Sequence, residues 1–151
     1  MDYTFILLSG GTGNRMHNSV PKQYMNLAGK PMIVHVLENA DRLDCVSKLV
    51  IVCAKEYRSY IDGLLEEYRI GKSVEYADAG ETRQASELSG LKKADTESVI
   101  IHEAARPFVK IEDYLKLINE PGEIVMPGLD IPFTVITPPA PNPSQHQSLF
   151  Q

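Results

Sequence analysis

Tyr3-Thr4-Phe5-Ile6-Leu7-Leu8 runs without a break into Ser9-Gly10-Gly11-Thr12-Gly13-Asn14-Arg15-Met16, and this passage from an apolar run to a glycine-rich loop decides the fold. The first six residues have the length of a buried strand. The glycines let the backbone approach a ligand closely and turn several N–H groups toward phosphate oxygens. Arg15 adds a guanidinium able to grip a phosphate. A tight strand-to-helix turn would use the same glycines, so the loop by itself leaves both readings open. Its spacing is not GxGxxG, which disfavours a dinucleotide site.

Moving outward, strands and helices alternate. Pro31 is expected in the first turn of a helix reaching about Leu43, where its missing N–H does no harm. Ile33, Val36, Leu37 and Ala40 give that helix its apolar face. Lys48 to Ala54 reads as a second buried strand, and Lys55 to Tyr68 as a helix with Tyr57, Ile61, Leu64, Leu65 and Tyr68 on one side. Ser73 to Ala77 is a third strand. Thr82 to Lys93 is a helix, expected to turn Ala85, Leu88 and Leu91 inward. Ser98 to His102 is a fourth strand, Ile111 to Asn119 a helix, and Glu123 to Met126 a further strand. This alternation predicts an α/β domain over residues 1–131, with a mostly parallel sheet and helices on both faces. Residues 132–151 hold Pro138, Pro139, Pro141 and Pro143 with three glutamines, and read as an extended or disordered tail.

In such sheets ligands bind outside the carboxyl ends of the strands. Three chemically unusual loops leave those ends. One is the glycine loop, followed by Pro21-Lys22-Gln23-Tyr24, whose Lys22 is placed to neutralise a polyphosphate. The second, Ala79-Gly80-Glu81-Thr82-Arg83-Gln84-Ala85-Ser86, opens a helix whose N-terminus offers N–H and hydroxyl partners. An ordinary helix start with Thr82 as cap explains it equally well. The third is His102-Glu103-Ala104-Ala105-Arg106-Pro107-Phe108. There a carboxylate at a strand end suits a divalent cation, and an arginine close by suits a second anion, while a buried ion pair or a solvated loop is the other reading, disfavoured by the room that Ala104 and Ala105 leave.

Other chemistry is set aside. The net charge of −5 argues against a chain that coats nucleic acid or an anionic membrane. No apolar run has the length of a membrane span, no secretory signal is read, and the cytosol is the expected compartment. Cys45 and Cys53 form neither a CxxC motif nor a disulfide framework. Gly71-Lys72-Ser73 resembles the end of a P-loop, but Glu66 stands where its first glycine belongs. Arg106 replaces the second histidine of a zincin, and no GxSxG elbow occurs.

Taken in order, LSGGTGNRM at 8–16, PKQY at 21–24, AGETR…S at 79–86 and HEAARPF at 102–108 resemble the 2-C-methyl-D-erythritol 4-phosphate and ribitol 5-phosphate cytidylyltransferases. The resemblance covers roughly the first two thirds of the chain. It implies a Rossmann-like three-layer nucleotidyltransferase fold. It also implies joining of CMP, from CTP, to a sugar-alcohol phosphate with release of pyrophosphate, aided by Mg²⁺ or another divalent cation. Arg15 and Lys22 match the family's catalytic cations. Ser9, Gly10, Gly11, Gly13, Gly80, Arg83 and Ser86 fall in its nucleotide site. Glu103 takes its acidic position near metal and ribose, and Arg106 and Thr134 its acceptor side. Glu103 stands where the family usually has Asp, a difference of one methylene or roughly 1.5 Å. Ser9-Gly10-Gly11 resembles the spelling found in cell-surface-polymer relatives and leans toward a ribitol acceptor. Nothing here matches the family's dimer arm or the basic segment that follows it. A nucleotide-binding form without turnover, and a nucleotidyltransferase with another base or acceptor, therefore stay open.

Overall fold

The computed structural model describes residues 2–11 and 20–128. The chain divides into two compact units, Met1–Asn119 and Glu120–Gln151. The first is built on four parallel strands: β1 (Tyr3–Leu8), β4 (Val46–Cys53), β5 (Ser73–Asp78) and β6 (Ser98–Glu103), in spatial order β5-β4-β1-β6. Strand β1 runs in register with β4 from Phe5 opposite Leu49 to Leu8 opposite Val52. On its other side it pairs with β6 from Tyr3 opposite Ser98 to Leu8 opposite Glu103.

The central strands are apolar because both of their faces are covered. Phe5, Ile6 and Leu7 are fully buried, as is every residue from Leu49 to Cys53. Phe5, Leu7, Leu49, Ile51 and Cys53 join one core with residues of α1 (Met32–Asp41), α2 (Arg58–Glu67) and α4 (Ile111–Asn119). Ile6, Val50, Val52 and Ala77 form the opposite core, which α3 (Arg83–Leu91) covers. The distribution follows from handedness. The crossovers β1-α1-β4 and β4-α2-β5 advance in one direction, whereas β5-α3-β6 returns past β4 and β1. A right-handed return must carry its helix over the other face.

A small hairpin interrupts the pattern before α1. Strands β2 (Asn26–Leu27) and β3 (Lys30–Pro31) are antiparallel, joined by Ala28 and Gly29 at φ 50 and 89°. Two positive φ values are the signature of a type I′ turn, whose twist suits a two-residue hairpin. Pro31 therefore ends β3 and caps α1, which starts at Met32, one residue later than expected.

Three expectations need correction. The helix expected over 55–68 is a 3-10 turn, Lys55–Tyr57, followed by α2. Ala85, Leu88 and Leu91 do not face inward. Leu88 is 54% and Leu91 40% exposed, and the buried residues of α3 are Ser86 and Gly90. A Cβ on Gly90 would lie 2.5 Å from Ile6 Cγ2 and 2.9 Å from Val52 Cγ2, so this helix is drawn onto the sheet along its small residues. Finally, Glu123–Met126 is not a strand. Residues 121–128 are bends and irregular backbone, and the four-residue run is penned between Pro121-Gly122 and Pro127-Gly128. The tail over 132–151 lies outside the described residues.

Candidate functional site

The strand order reverses at β1, with β4 and β6 on its two sides, and the loops leaving the carboxyl ends of β1 and β6 flank that switch point. Each loop first extends the ladder by one bond. Ser9 N–H donates to Val52 O at 2.8 Å, Ala104 N–H to Leu8 O at 2.9 Å and Ala79 N–H to Cys53 O at 3.3 Å. Beyond these bonds the chains leave the sheet.

The loops after β1 and β5 then touch. A Cβ on Gly10 would lie 2.5 Å from the Ala79 Cβ, too close for any side chain without a shift. One on Gly80 would lie 2.4 Å from the Ala85 Cβ and 3.0 Å from Ser86 N. Both glycines are thus demanded by loop contact. Gly11 is different, because a Cβ there meets nothing within 4 Å. Packing does not require glycine at 11 among the described residues. Thr82 caps α3 by accepting from Ala85 N–H at 3.0 Å. Buried Ser86 accepts the Gly80 N–H through its Oγ at 3.0 Å, tying the loop to the first turn of the helix.

The block Pro21 to Tyr24 supplies the brace of the glycine loop. Lys22–Tyr24 is a single 3-10 turn that buries Gln23 and Tyr24 and leaves Lys22 exposed. Gln23 Nε2 donates to Ser9 O at 2.7 Å and to Gly11 O at 2.9 Å. Ser9 Oγ–H donates to the Tyr24 hydroxyl at 3.1 Å. The Tyr24 ring is stacked on Tyr57, 4.6 Å between centroids, and meets the edge of Tyr60. Burial pushes the Tyr24 phenol up to about 12, so it remains a neutral hydroxyl. The sequence reading singled out Lys22 here and missed Gln23 and Tyr24. A glutamine sandwiched between a charged and an aromatic residue gives no periodic signal, and its partners are distant carbonyls.

At the end of β6, Glu103 stands between two arginines. Its Oε1 is 3.1 Å from Arg83 Nε and its Oε2 is 2.7 Å from Arg106 Nε. Arg83 also reaches Glu87 at 3.3 Å. The structure thereby brings together two expected site residues from different loops around a third. His102, at the end of β6, closes this turn. Its Nε2 lies 2.9 Å from Arg106 O and its Nδ1 3.3 Å from the Tyr114 hydroxyl. The carbonyl can only accept, so Nε2 carries the proton and Nδ1 accepts from the phenol. Burial holds His102 below the usual histidine range, which keeps the ring in this neutral form.

Lys22 and Arg106 line one open cleft of about 580 Å³, with Leu27, Met32, Pro107 and Phe108 among its walls. Two cations and the Asp113 carboxylate therefore border a cavity whose other sides are apolar. No group of three or more His, Cys, Asp or Glu side chains able to hold a metal occurs among the described residues. Glu103 still suits Mg²⁺. An ionised carboxylate has about four lone-pair sites, and its arginines take two. Mg²⁺ in phosphate sites is usually held by one or two carboxylates, with phosphate and water oxygens completing the shell. Gly13, Arg15 and Thr134 lie outside the described residues.

The family model for 2-C-methyl-D-erythritol 4-phosphate cytidylyltransferase matches residues 4–129. The chain belongs to this family. Among cytidylyltransferases that it resembles, the chloroplastic protein of Oryza sativa subsp. japonica is 38% identical over 117 residues, 76% of this chain and 39% of the rice protein. The Geobacillus kaustophilus protein is 38% identical over 120 residues, 79% of this chain and 53% of its own length. Against these cytidylyltransferases the chain spans about half the relative's length or less. Among solved structures, 4-diphosphocytidyl-2C-methyl-D-erythritol synthase of Anaerococcus prevotii superimposes with a TM-score of 0.66 at 26% identity, over 78% of this chain and 50% of that one. The shared fold is the Rossmann-like nucleotidyltransferase fold expected from the four sequence blocks. No helix among the described residues is long and apolar enough to cross a membrane.

Proposed function

We propose that this cytidylyltransferase family member binds CTP over the carboxyl ends of β1 and β6 and transfers CMP to a sugar-alcohol phosphate. The observation that supports it most is the convergence of Gly10, Gly11, Lys22, Arg83, Glu103 and Arg106, from three loops, at the switch point of the sheet.

The chemistry asks little of acid or base groups. A phosphate monoester has its second pKa near about 6, so the acceptor oxygen is already an anion at neutral pH. That oxygen attacks the α-phosphorus of CTP, the bond to the β-phosphate bridging oxygen breaks, and pyrophosphate leaves with the electron pair. What the protein supplies is charge neutralisation and in-line placement. Lys22, and Arg15 from the sequence motif, meet the triphosphate. Arg106, across the cleft from Lys22, meets the acceptor phosphate, with Thr134 expected on the same side. Gly80 and Ser86 face the base, with Arg83 beside them. Glu103 would hold Mg²⁺, which when bound would offset the negative charge of the phosphates.

The names of the relatives favour 2-C-methyl-D-erythritol 4-phosphate as acceptor, while the Ser9-Gly10-Gly11 spelling leans toward ribitol 5-phosphate. A cytosolic setting accords with two free cysteines. The deciding experiment is calorimetric titration with CTP, UTP, ATP and GTP in Mg²⁺, on the wild type and on Lys22→Ala. Pyrophosphate release is then assayed with each acceptor. CTP should bind selectively, and Lys22→Ala should weaken it about tenfold or more, as expected for a lost charge-assisted contact. A folded protein that binds no nucleotide sinks the reading. Selective binding without pyrophosphate release would confine it to the nucleotide half.

A further inference from the structure

The two hydrogen bonds from Gln23 do more than fill a buried space. A trans peptide is planar, with its C=O and the following N–H pointing in opposite directions. Gln23 lies beneath the glycine loop, 5% exposed, and draws the Ser9 carbonyl toward itself. The N–H of the same peptide belongs to Gly10 and must point the other way, out of the fold. No cis peptide occurs among the described residues to reverse this relation. Gly10 N–H and Gly11 N–H make no hydrogen bond among the described residues. Gln23 also takes the Gly11 carbonyl, so that oxygen is turned inward and cannot face a phosphate. Both Nε2 protons are thus spent on the two carbonyls that would otherwise repel an anion.

The side chain is itself held. Tyr24, next in the chain, takes the Ser9 hydroxyl and is wedged against Tyr57 and Tyr60. The 3-10 turn fixes Gln23 against Tyr24 through Tyr24 N–H to Pro21 O at 3.0 Å. Turning these peptides over would break both Gln23 bonds and leave the buried Gln23 amide protons without acceptors, a change that is expensive in a buried site.

We propose that Gln23 is a positioning residue for the polyphosphate: it orients the Ser9–Gly10 peptide so that the Gly10 N–H, not the Ser9 carbonyl, meets a phosphate oxygen, and it holds the Gly11 carbonyl away from the anion. The inference rests on the nucleotide reading above for its ligand but not for the base that ligand carries. Glutamine is suited to the task because it is neutral and has two donors on one nitrogen. Glutamate would set a negative charge against two carbonyls, and methionine keeps the volume but offers no donor.

The test titrates inorganic tripolyphosphate and CTP into ¹⁵N-labelled full-length chain, wild type and Gln23→Met, following backbone amides. In the wild type the Gly10 amide should shift saturably with tripolyphosphate alone. In Gln23→Met the affinity for tripolyphosphate should fall about tenfold and the Gly10 shift should vanish, while the amides of β1 and β4 keep their wild-type positions. A folded Gln23→Met that binds tripolyphosphate within twofold of wild type overturns the proposal, because a purely structural glutamine would behave that way. Should Gln23→Met not fold, wild type decides through the coupling across the hydrogen bond from Gln23 Nε2 to the Ser9 or Gly11 carbonyl. Its persistence in the tripolyphosphate-bound state supports the proposal, and its loss on binding overturns it. Tripolyphosphate binding with no preference for CTP over UTP or GTP leaves Gln23 in its role and removes the cytidine reading. A folded wild type that does not bind tripolyphosphate overturns the proposal, whatever CTP does.

Discussion

Gly90 lies on α3 where helix and sheet approach most closely. Two effects oppose each other when it is replaced. Alanine is the better helix former by up to about 1 kcal/mol. Its Cβ, however, would stand 2.5 Å from Ile6 Cγ2 and 2.9 Å from Val52 Cγ2, both on fully buried residues of the central strands. Overpacking of that kind costs about 1–3 kcal/mol, so packing wins. Urea denaturation should show Gly90→Ala less stable than wild type by about 1–2 kcal/mol, and an unchanged or raised midpoint would refute the close approach. Glycine at 90 was in plain view in the sequence, but its meaning was not. The apolar period of α3 pointed to Ala85, Leu88 and Leu91, because hydrophobic pattern marks large residues and says nothing about a face chosen for its smallness. Gln23 was hidden for a related reason, since its partners lie 14 and 12 residues back along the chain.

Among the elements, α2 ends in a motif that carries strain. Arg69 has φ 55°, its N–H donates to Glu66 O, and the next N–H, of Ile70, donates to Leu65 O at 3.0 Å. This is the Schellman arrangement, in which the left-handed residue is usually glycine. Arginine there bears a Cβ cost that glycine avoids. Arg69→Gly is therefore expected to stabilise the chain by about 0.5–1 kcal/mol, after the greater freedom of glycine in the unfolded state is set against the relief of strain. The shift in urea midpoint at unchanged slope measures it, and a destabilised variant would show the guanidinium contributing contacts that outweigh the strain. Element types were readable because β1 and β4 carry the apolar runs Phe5–Leu8 and Leu49–Cys53 and α1 has a regular stripe. Element ends were less so. The hairpin at 26–31 rests on a turn whose first residue, Ala28, is not a turn former, and Glu123–Met126 has strand composition without strand structure.

Across the whole molecule, one charge network links separate elements. Glu75 on β5 receives Lys48 of β4 at 2.9 Å and Lys93 beyond α3 at 2.7 Å, and Lys48 also reaches Asp95 at 3.1 Å. These two lysines hold the Glu75 carboxyl down to about 2, against an ordinary 4.5. Asp95 is lowered as well, chiefly by Lys48. A carboxyl whose pKa falls on folding stabilises the fold above its unfolded value, and that contribution is lost as pH drops through the folded one. The window therefore runs from about 4.5 down to about 2. Glu75→Gln should flatten the acid limb of stability against pH within that window and leave the neutral-pH slope unchanged. An acid limb as steep as in wild type would assign acid unfolding to other groups. The network is partly exposed, so its effect should also shrink in high salt.

The sequence alone determined that strands and helices alternate, that β1 and β4 are buried, and that three loops rich in glycine and charged residues follow strand ends. Those properties are local: run length, residue type and chain order settle them. It also carried the four blocks that mark the family. Tertiary structure decided the rest. It put α3 on the opposite face through the handedness of a crossover, and chose Ser86 and Gly90 as that helix's inner side. It placed Glu103 between Arg83 and Arg106, and set Gln23 under the glycine loop. Apart from the local Glu103–Arg106 pair, these are contacts between residues distant in the chain, whose geometry exists only once the sheet has brought the strand ends together.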